Sequence, residues 1–439
     1  MMKNKVIRSL FTGILILFSV TCTNVPETST HFLTGTICDE IDGTLLGDVA
    51  VSFGDEATTT DSNGYFSISL GTTGTLSGDL SIYKSGYQAH FLSNMTINSS
   101  RNIDVLRALY PLTDVGTYPT RTMSGKIYYS GGSEIPDGID YYIIIVKKGQ
   151  NFGDIISGTY SGGYSGQIRF KANDCSIFIQ LLNESGQVSH YLVVYEYDLS
   201  NPGEINQDFT LPDPALENVI SNVTFQGDQI GNTGVMGSYN PDIPIAGITK
   251  SGSVYSGVIT FPGPETSNTF DLVPFTNGSV FWIQSKTESI ADPPAHTKTY
   301  MACGDSLPLP AGSATVVLPA IVDNGPSGLP DGTSIDYNST TGALSIQEVN
   351  DTNYYKFSIT EQGGSMWPIA YVTTASNSII LPQWLQNLLS GRTVNIRIAV
   401  GNFTNFFRME NYQYGTYAPT LSGKTITGSS FKKDGIIIP

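Results

Sequence analysis

From residue 31 onward, apolar and polar residues alternate in short runs, and each run soon meets Gly, Pro, Asn or Asp. Tyr65-Phe66-Ser67-Ile68-Ser69-Leu70 is the clearest example, and Leu46, Val49, Val51 and Phe53 repeat the pattern. A period of two places alternate side chains on one face, as a half-buried strand requires. Tyr141–Val146 is continuously apolar instead, which predicts a strand buried on both faces. With 46 Gly and 23 Pro in 439 residues, turns are frequent enough to join many short strands. The pattern predicts an all-β chain of tandem β-sandwich domains. Pro382–Leu389 is the exception, with the spacing of one short helix.

The first residues follow different rules. Lys3, Lys5 and Arg8 precede the apolar run Leu10–Phe18, which is too short to span a bilayer. Export followed by cleavage fits better, with residues 1–21 as a signal peptide. Ser19-Val20-Thr21-Cys22 ends the segment. Ser19 and Thr21 satisfy the small-x-small rule for ordinary cleavage, which would give a secreted chain beginning with Cys22. The same residues resemble a bacterial lipoprotein signal, although Ser19 stands where that family has Leu. The resemblance implies lipid on Cys22, a membrane as partner and a flexible tether over residues 22–30. Thr23 in place of Asp implies passage to the outer membrane.

The formal charge of −16 deepens once the three signal-peptide cations are lost. Such a chain repels nucleic acid and anionic lipid surfaces, and Lys147–Lys148 and Lys432–Lys433 are only pairs. Nucleic acid is therefore not expected as a partner. Cys22, Cys38, Cys175 and Cys303 are too widely spaced for a redox or zinc CxxC pair. If Cys22 carries lipid, one intrachain disulfide at most can form. Buried free thiols are the expected state, with a bridge from Cys38 as the alternative.

Four β-units are expected, over residues 31–112, 120–212, 216–322 and 331–430. The first contains Gly35-Thr36-Ile37, Gly47-Asp48-Val49-Ala50-Val51, Thr60-Asp61-Ser62-Asn63-Gly64-Tyr65-Phe66 and Lys84-Ser85-Gly86-Tyr87. These motifs resemble a carboxypeptidase regulatory-like domain. The resemblance implies a transthyretin-like sandwich of about seven strands with no catalytic role of its own. Gly64 is expected at positive φ. In the second unit, Ser124-Gly125-Lys126-Ile127-Tyr128, Gly162–Gly166 and Asp208–Leu211 echo the first. The spacings differ, so the sequence leaves open whether it is a repeat. Residues 216–322 carry short alternating runs without a recognisable type. In the fourth unit come Ala343–Ile346, Asn353–Ile359, Met366–Ile369, Ser378–Pro382 and Gly391–Ile398. Their order is similar to a fibronectin type III-like, immunoglobulin-like sandwich, without the Trp usual in its opening strand.

No catalytic constellation stands out. His31, His90, His190 and His296 share no motif, and neither HExxH nor HxxE occurs. Ser165 lies among glycines, but turn chemistry explains that stretch better than a nucleophile elbow. Gly231–Gly237 lacks the ending of a phosphate loop. Asp39, Glu40 and Asp42, or Asp331 and Asp336, could be imagined around calcium; solvated turn acids are the simpler expectation. No metal, cofactor or catalytic residue is expected. Tyr191, Tyr195 and Tyr197 alternate on one strand and are expected to share a face. Tyr412, Tyr414 and Tyr417 cluster near the C-terminus and are the candidate contacts for a protein or glycan partner. The expected function is a non-catalytic envelope lipoprotein that scaffolds binding or adhesion. A carbohydrate-binding adhesin is the first alternative. A hydrolase with acids meeting only in the fold, most plausibly within 216–320, is the second.

Overall fold

The computed structural model describes residues 31–71, 75–98, 103–147, 153–184, 188–212, 334–349, 352–363 and 368–401, together with strands between 221 and 317 and from 425 to 438. Cys22, the tether, Asp331, Tyr412, Tyr414 and Tyr417 lie outside the described residues.

The fold is all-β. The first unit comprises β1 (His31–Asp39), β2 (Ala50–Phe53), β3 (Glu56–Thr59), β4 (Tyr65–Gly71), β5 (Thr75–Tyr83), β6 (Ala89–Asn98) and β7 (Ile103–Leu109). One sheet runs β4-β1-β7, with β1 antiparallel to β4 and parallel to β7. The facing strands run β3-β2-β5-β6. Phe66, Ile68 and Leu70 alternate inward from β4 onto Leu33, Ile37, Val51 and Ile82. Gly64 has φ +67°, and a Cβ there would lie 2.4 Å from the Ile37 carbonyl oxygen. Glycine is therefore required before β4, as the sequence predicts.

The second unit uses the same strand order. It comprises β8 (Arg121–Gly125), β9 (Ile127–Tyr128), β10 (Asp140–Lys147), β11 (Asp154–Thr159), β12 (Tyr164–Ile168), β13 (Cys175–Leu182), β14 (Val188–Tyr197), β15 (Ile205–Asn206) and β16 (Phe209–Thr210). Its sheets run β12-β8-β15 and β11-β10-β13-β14, with β16 joined to β9. The opening strand again lies between an antiparallel neighbour and a parallel closing one. A shared irregularity aligns the two units. In β6, Ser93 and Asn94 fall at a register shift, and Asn94 has φ +54°. In β14, Tyr195 and Glu196 do the same, with Glu196 at φ +52°.

The third region comprises β17 (Ser221–Ile230), β18 (Val235–Tyr239), β19 (Val254–Tyr255), β20 (Val258–Thr260), β21 (Glu265–Leu272), β22 (Ser279–Ile290), β23 (His296–Ser306) and β24 (Ser313–Val317). β21-β17-β24 and β20-β18-β22-β23 reproduce the two sheet orders once more. The last unit has a different plan. β25 (Ile335–Asn338), β26 (Ala343–Ile346) and β29 (Ser378–Ile380) form one sheet. β27 (Tyr354–Glu361), β28 (Ala370–Thr374), β30 (Thr393–Gly401) and β31 (Thr425–Ile437) form the other, in the order β31-β30-β27-β28. The short helix expected from sequence is α1 (Gln383–Leu389), which buries Leu385 and Leu389.

The four units are not a string of separate beads. A single sheet of 13 strands contains strands of the first, third and last units. β6 pairs in parallel with β28 over Ala89–Leu92 and Ala370–Thr373. β23 pairs antiparallel with β31. Each outer edge of the last unit's four-stranded sheet is thus paired, over part of its length, with β6 of the first unit or with its counterpart β23 in the third region, and an edge that is paired is no template for other chains. At the first of these seams, Ala89 and Phe91 enter the last unit's core, and Tyr354 enters the first unit's. Tyr83 meets Trp384 with ring centroids 5.1 Å apart. The Gln88 side-chain amide donates to the Pro368 carbonyl at 2.8 Å. No helix among the described residues is long and apolar enough to cross a membrane.

Candidate functional site

The densest cluster of ionisable side chains described lies where the first unit meets the second. β1 ends in Asp39-Glu40-Ile41-Asp42-Gly43. Asp39, Glu40 and Asp42 are only 2–4 % exposed, so the expectation of solvated turn acids is wrong. The turn is closed over by the second unit. Lys171 donates its backbone N–H to the Asp42 carbonyl at 3.0 Å, and its Nζ lies 3.0 Å from Asp42 Oδ2. Gly43, at φ +72°, lies against Phe170 and Ala172, where even a Cβ would come within 3.0 Å of both.

Asp39 is the centre of the cluster. Its Oδ1 accepts the Ile41 N–H at 2.7 Å and the Asp42 N–H at 3.2 Å. Its Oδ2 accepts the hydroxyls of Tyr87 at 2.9 Å and Tyr118 at 2.6 Å. Burial raises the Asp39 pKa, and the Tyr118 and Ile41 hydrogen bonds oppose that rise. Burial and the neighbouring Asp39 carboxylate push both tyrosine hydroxyls up. These groups donate hydrogen bonds and do not ionise near neutral pH.

Around this core the remaining charges also have structural duties. Asp154 accepts the N–H groups of Arg169 and Phe170, the latter at 2.8 Å, and burial raises its pKa. Lys147 is buried and donates to the Asn173 carbonyl at 2.8 Å. Cys38 and Cys175 are buried free thiols, as expected from sequence. Burial pushes the Cys38 thiol up, with Glu40 adding to the rise, and pushes Cys175 up to about 12. Neither carries the thiolate that nucleophilic or metal chemistry needs. Each Asp39 oxygen already accepts two hydrogen bonds, and no group of three His, Cys, Asp or Glu among the described residues could hold a metal ion. The arrangement clamps one sandwich to the next. It has no paired acid and base converging on an open cleft.

The other residues singled out in the sequence are dispersed. His90 meets Tyr371 at the seam between the first and last units, with ring centroids 5.6 Å apart and the rings tilted by 51°. His190 lies 4.9 Å from the Tyr129 ring. Ser165 is a β12 residue paired with Ser124, not the apex of an elbow. Asp336 takes the Ser334 hydroxyl at 2.9 Å. Tyr191, Tyr195 and Tyr197 do not share one face. The extra residue at Tyr195–Glu196 reverses the alternation, so Tyr197 packs with Leu192 and Val194 on the core while Tyr191 lies outside that cluster. A groove of about 720 Å³ lies at the tip of the first unit, lined by residues including Phe53, Asp55, Glu56, Leu70, Leu76 and Asp79. Its lining contains no histidine, cysteine or lysine, and the Asp79 carboxylate accepts the Asn94 N–H at 2.9 Å.

No family model and no curated protein matches the chain. Solved structures that resemble it include a candidate adhesin of Bacteroides ovatus, at 11% identity and a TM-score of 0.18 over 47% of this chain and 95% of that one. A minor pilin of Streptococcus agalactiae aligns at 10% identity and a TM-score of 0.17, over 42% of this chain and 96% of that one. The Bacillus anthracis TIE protein aligns at 9% identity and a TM-score of 0.16, over 66% of this chain and half of that protein's length. Likeness at these TM-scores carries no argument about function.

Proposed function

We propose that this chain is a non-catalytic scaffold of the cell envelope, exported and held to a membrane by lipid on Cys22. The observation that carries the non-catalytic reading is the acidic turn. Its Asp39 and Asp42 carboxylates are committed to Tyr87, Tyr118, Lys171 and backbone N–H groups, and the Lys171 contact ties one sandwich to the next. The signal, Cys22 and the polar tether support the anchor. Motifs around Gly35, Gly64 and Gly86, with the seven-strand order of β1–β7, support a carboxypeptidase regulatory-like first unit. The split of β25–β31 into sheets of three and four strands supports a fibronectin type III-like last unit. The partner is a protein or glycan met by the outward units, with Tyr412, Tyr414 and Tyr417 as candidate contacts.

Metabolic palmitate labelling of the wild type and of Cys22→Ala tests the anchor. Label lost in the variant is the expected result; label absent from both means a secreted chain. Robust turnover of peptides or glycans by the purified mature protein would overturn the non-catalytic reading.

A further inference from the structure

The strands at the seam between the first and last units form one stretch of continuous sheet, β31-β30-β27-β28-β6. One alternate set of residues, including Phe91, Phe357, Val372 and Ile398, faces the last unit's core. The other set faces the opposite way. Its pairings line up in one row across the five strands. His90 stands opposite Tyr371, Tyr371 opposite Ser358, Ser358 opposite Arg397, and Arg397 opposite Lys432. At the usual strand spacing the row is about 19 Å long.

The row is basic, in a chain whose formal charge is −16. Lys356, the outward residue of β27 next to Ser358, holds its Nζ 4.2 Å from the Tyr371 ring centroid. Arg397 is exposed and makes no ion pair among the described residues. The outward positions of β27, β28 and β30 hold no Asp or Glu. Glu361, the single acid in these three strands, alternates to the core face and pairs with Arg392. Burial, Arg107 of β7 and Lys356 all oppose a proton on His90, and no carboxylate favours one.

We propose that this face binds an acidic polysaccharide laid across the strands, with its carboxylate or sulfate groups on Arg397 and Lys356 and a sugar ring against Tyr371. The inference rests on the reading of the chain as a binding scaffold and names the class of glycan. A guanidinium forks onto a pair of oxyanion oxygens, the Ser358 hydroxyl adds a donor in the same row, and the tyrosine offers an apolar ring with a polar tip. The net negative charge acts from afar but is screened beyond about 8 Å at physiological ionic strength. A thin polymer lying in the row therefore meets the basic groups first. A planar anionic membrane would also press on the acidic remainder of the chain, so the thin polymer is the favoured occupant.

The test uses the full mature chain from residue 23. Polygalacturonate is the carboxylate probe, dextran sulfate the sulfate probe and dextran the neutral control. Titration calorimetry should show binding to at least one acidic polymer, none to dextran, and an affinity that falls as salt is added. Arg397→Gln and Lys356→Gln should each weaken binding at least about tenfold. Arg397→Gln alters an exposed side chain, so its thermal melt should stay that of the wild type. Lys126→Gln removes one positive charge from the second unit and should leave the affinity unchanged. No binding to either acidic polymer would overturn the proposal and leave the non-catalytic scaffold standing. Dextran bound as tightly as the acidic polymers would overturn it while keeping a glycan partner. Wild-type affinity in Arg397→Gln, or binding to phosphatidylglycerol vesicles and to neither polymer, would overturn it as well.

Discussion

Lowering the pH should weaken the seam between the first and last units through His90. This residue lies on β6 opposite Tyr371 of β28, and its Nε2 is buried without a hydrogen-bond partner among the described residues. Arg107 of β7 and Lys356 of β27 face it, Lys356 with its Nζ 4.2 Å from the Tyr371 ring centroid. Burial, then Arg107, then Lys356 lower the His90 pKa to about 3 from 6.5. A lowered folded-state pKa contributes stability that is fully present above the unfolded value and lost as pH falls towards the folded one. Between pH 7 and pH 5 the unfolded chain gains the proton while the folded chain does not, which removes about 1–2 kcal/mol. Urea unfolding at the two pH values, followed by fluorescence that includes Trp384 at the seam, measures the loss. His90→Phe keeps a ring against Tyr371 and removes the titration. Asp39 and Asp154 have raised values, so their contribution is present at low pH and lost as pH rises through the folded values. They act in both proteins, and the difference between wild type and variant isolates His90. Equal losses in the two would refute the reasoning.

Other consequences follow from the same packing. Phe91→Ala should cost about 3–5 kcal/mol and lower the melting of the first and last units together, since the ring leaves a core built by both. Gly64→Ala should cost roughly 2 kcal/mol or more, because the φ is positive and the Ile37 carbonyl occupies the Cβ position; calorimetry reads it. Tyr118→Phe removes a hydrogen bond to a buried carboxylate and should cost about 1.5–3 kcal/mol, seen as faster hydrogen exchange in residues 39–43.

Local features were legible in the sequence wherever one face met one core. The alternation of Tyr65–Leu70, the positive φ at Gly64, the buried run at Tyr141–Val146 and helix α1 each follow from neighbours in the chain. The echo of residues 31–112 in 120–212 was visible as motifs, but the spacing obscured it. Sheet order reveals it because β-bulges and loop lengths alter spacing without altering which strands pair. The seam was not legible. Ala89-His90-Phe91-Leu92 reads as any strand, and its partner lies about 280 residues away, where no periodicity connects them. The acidic turn misled for a similar reason. Asp42 looks solvated until Lys171 of the next unit meets it, and Asp39 until Tyr87 and the distant Tyr118 hydrogen-bond it. Tyr191 and Tyr197 misled because a single extra residue reverses the faces of a strand.

The first and last units share one sheet and exchange core residues, and so behave as one body. Hydrogen exchange of the full mature chain, read in residues 89–92 and 370–373 for the wild type and Phe91→Ala, tests that most directly. Both segments should exchange slowly in the wild type, and both should lose protection when Phe91 is truncated. Unchanged protection at 370–373 beside a weakened 89–92 would contradict it.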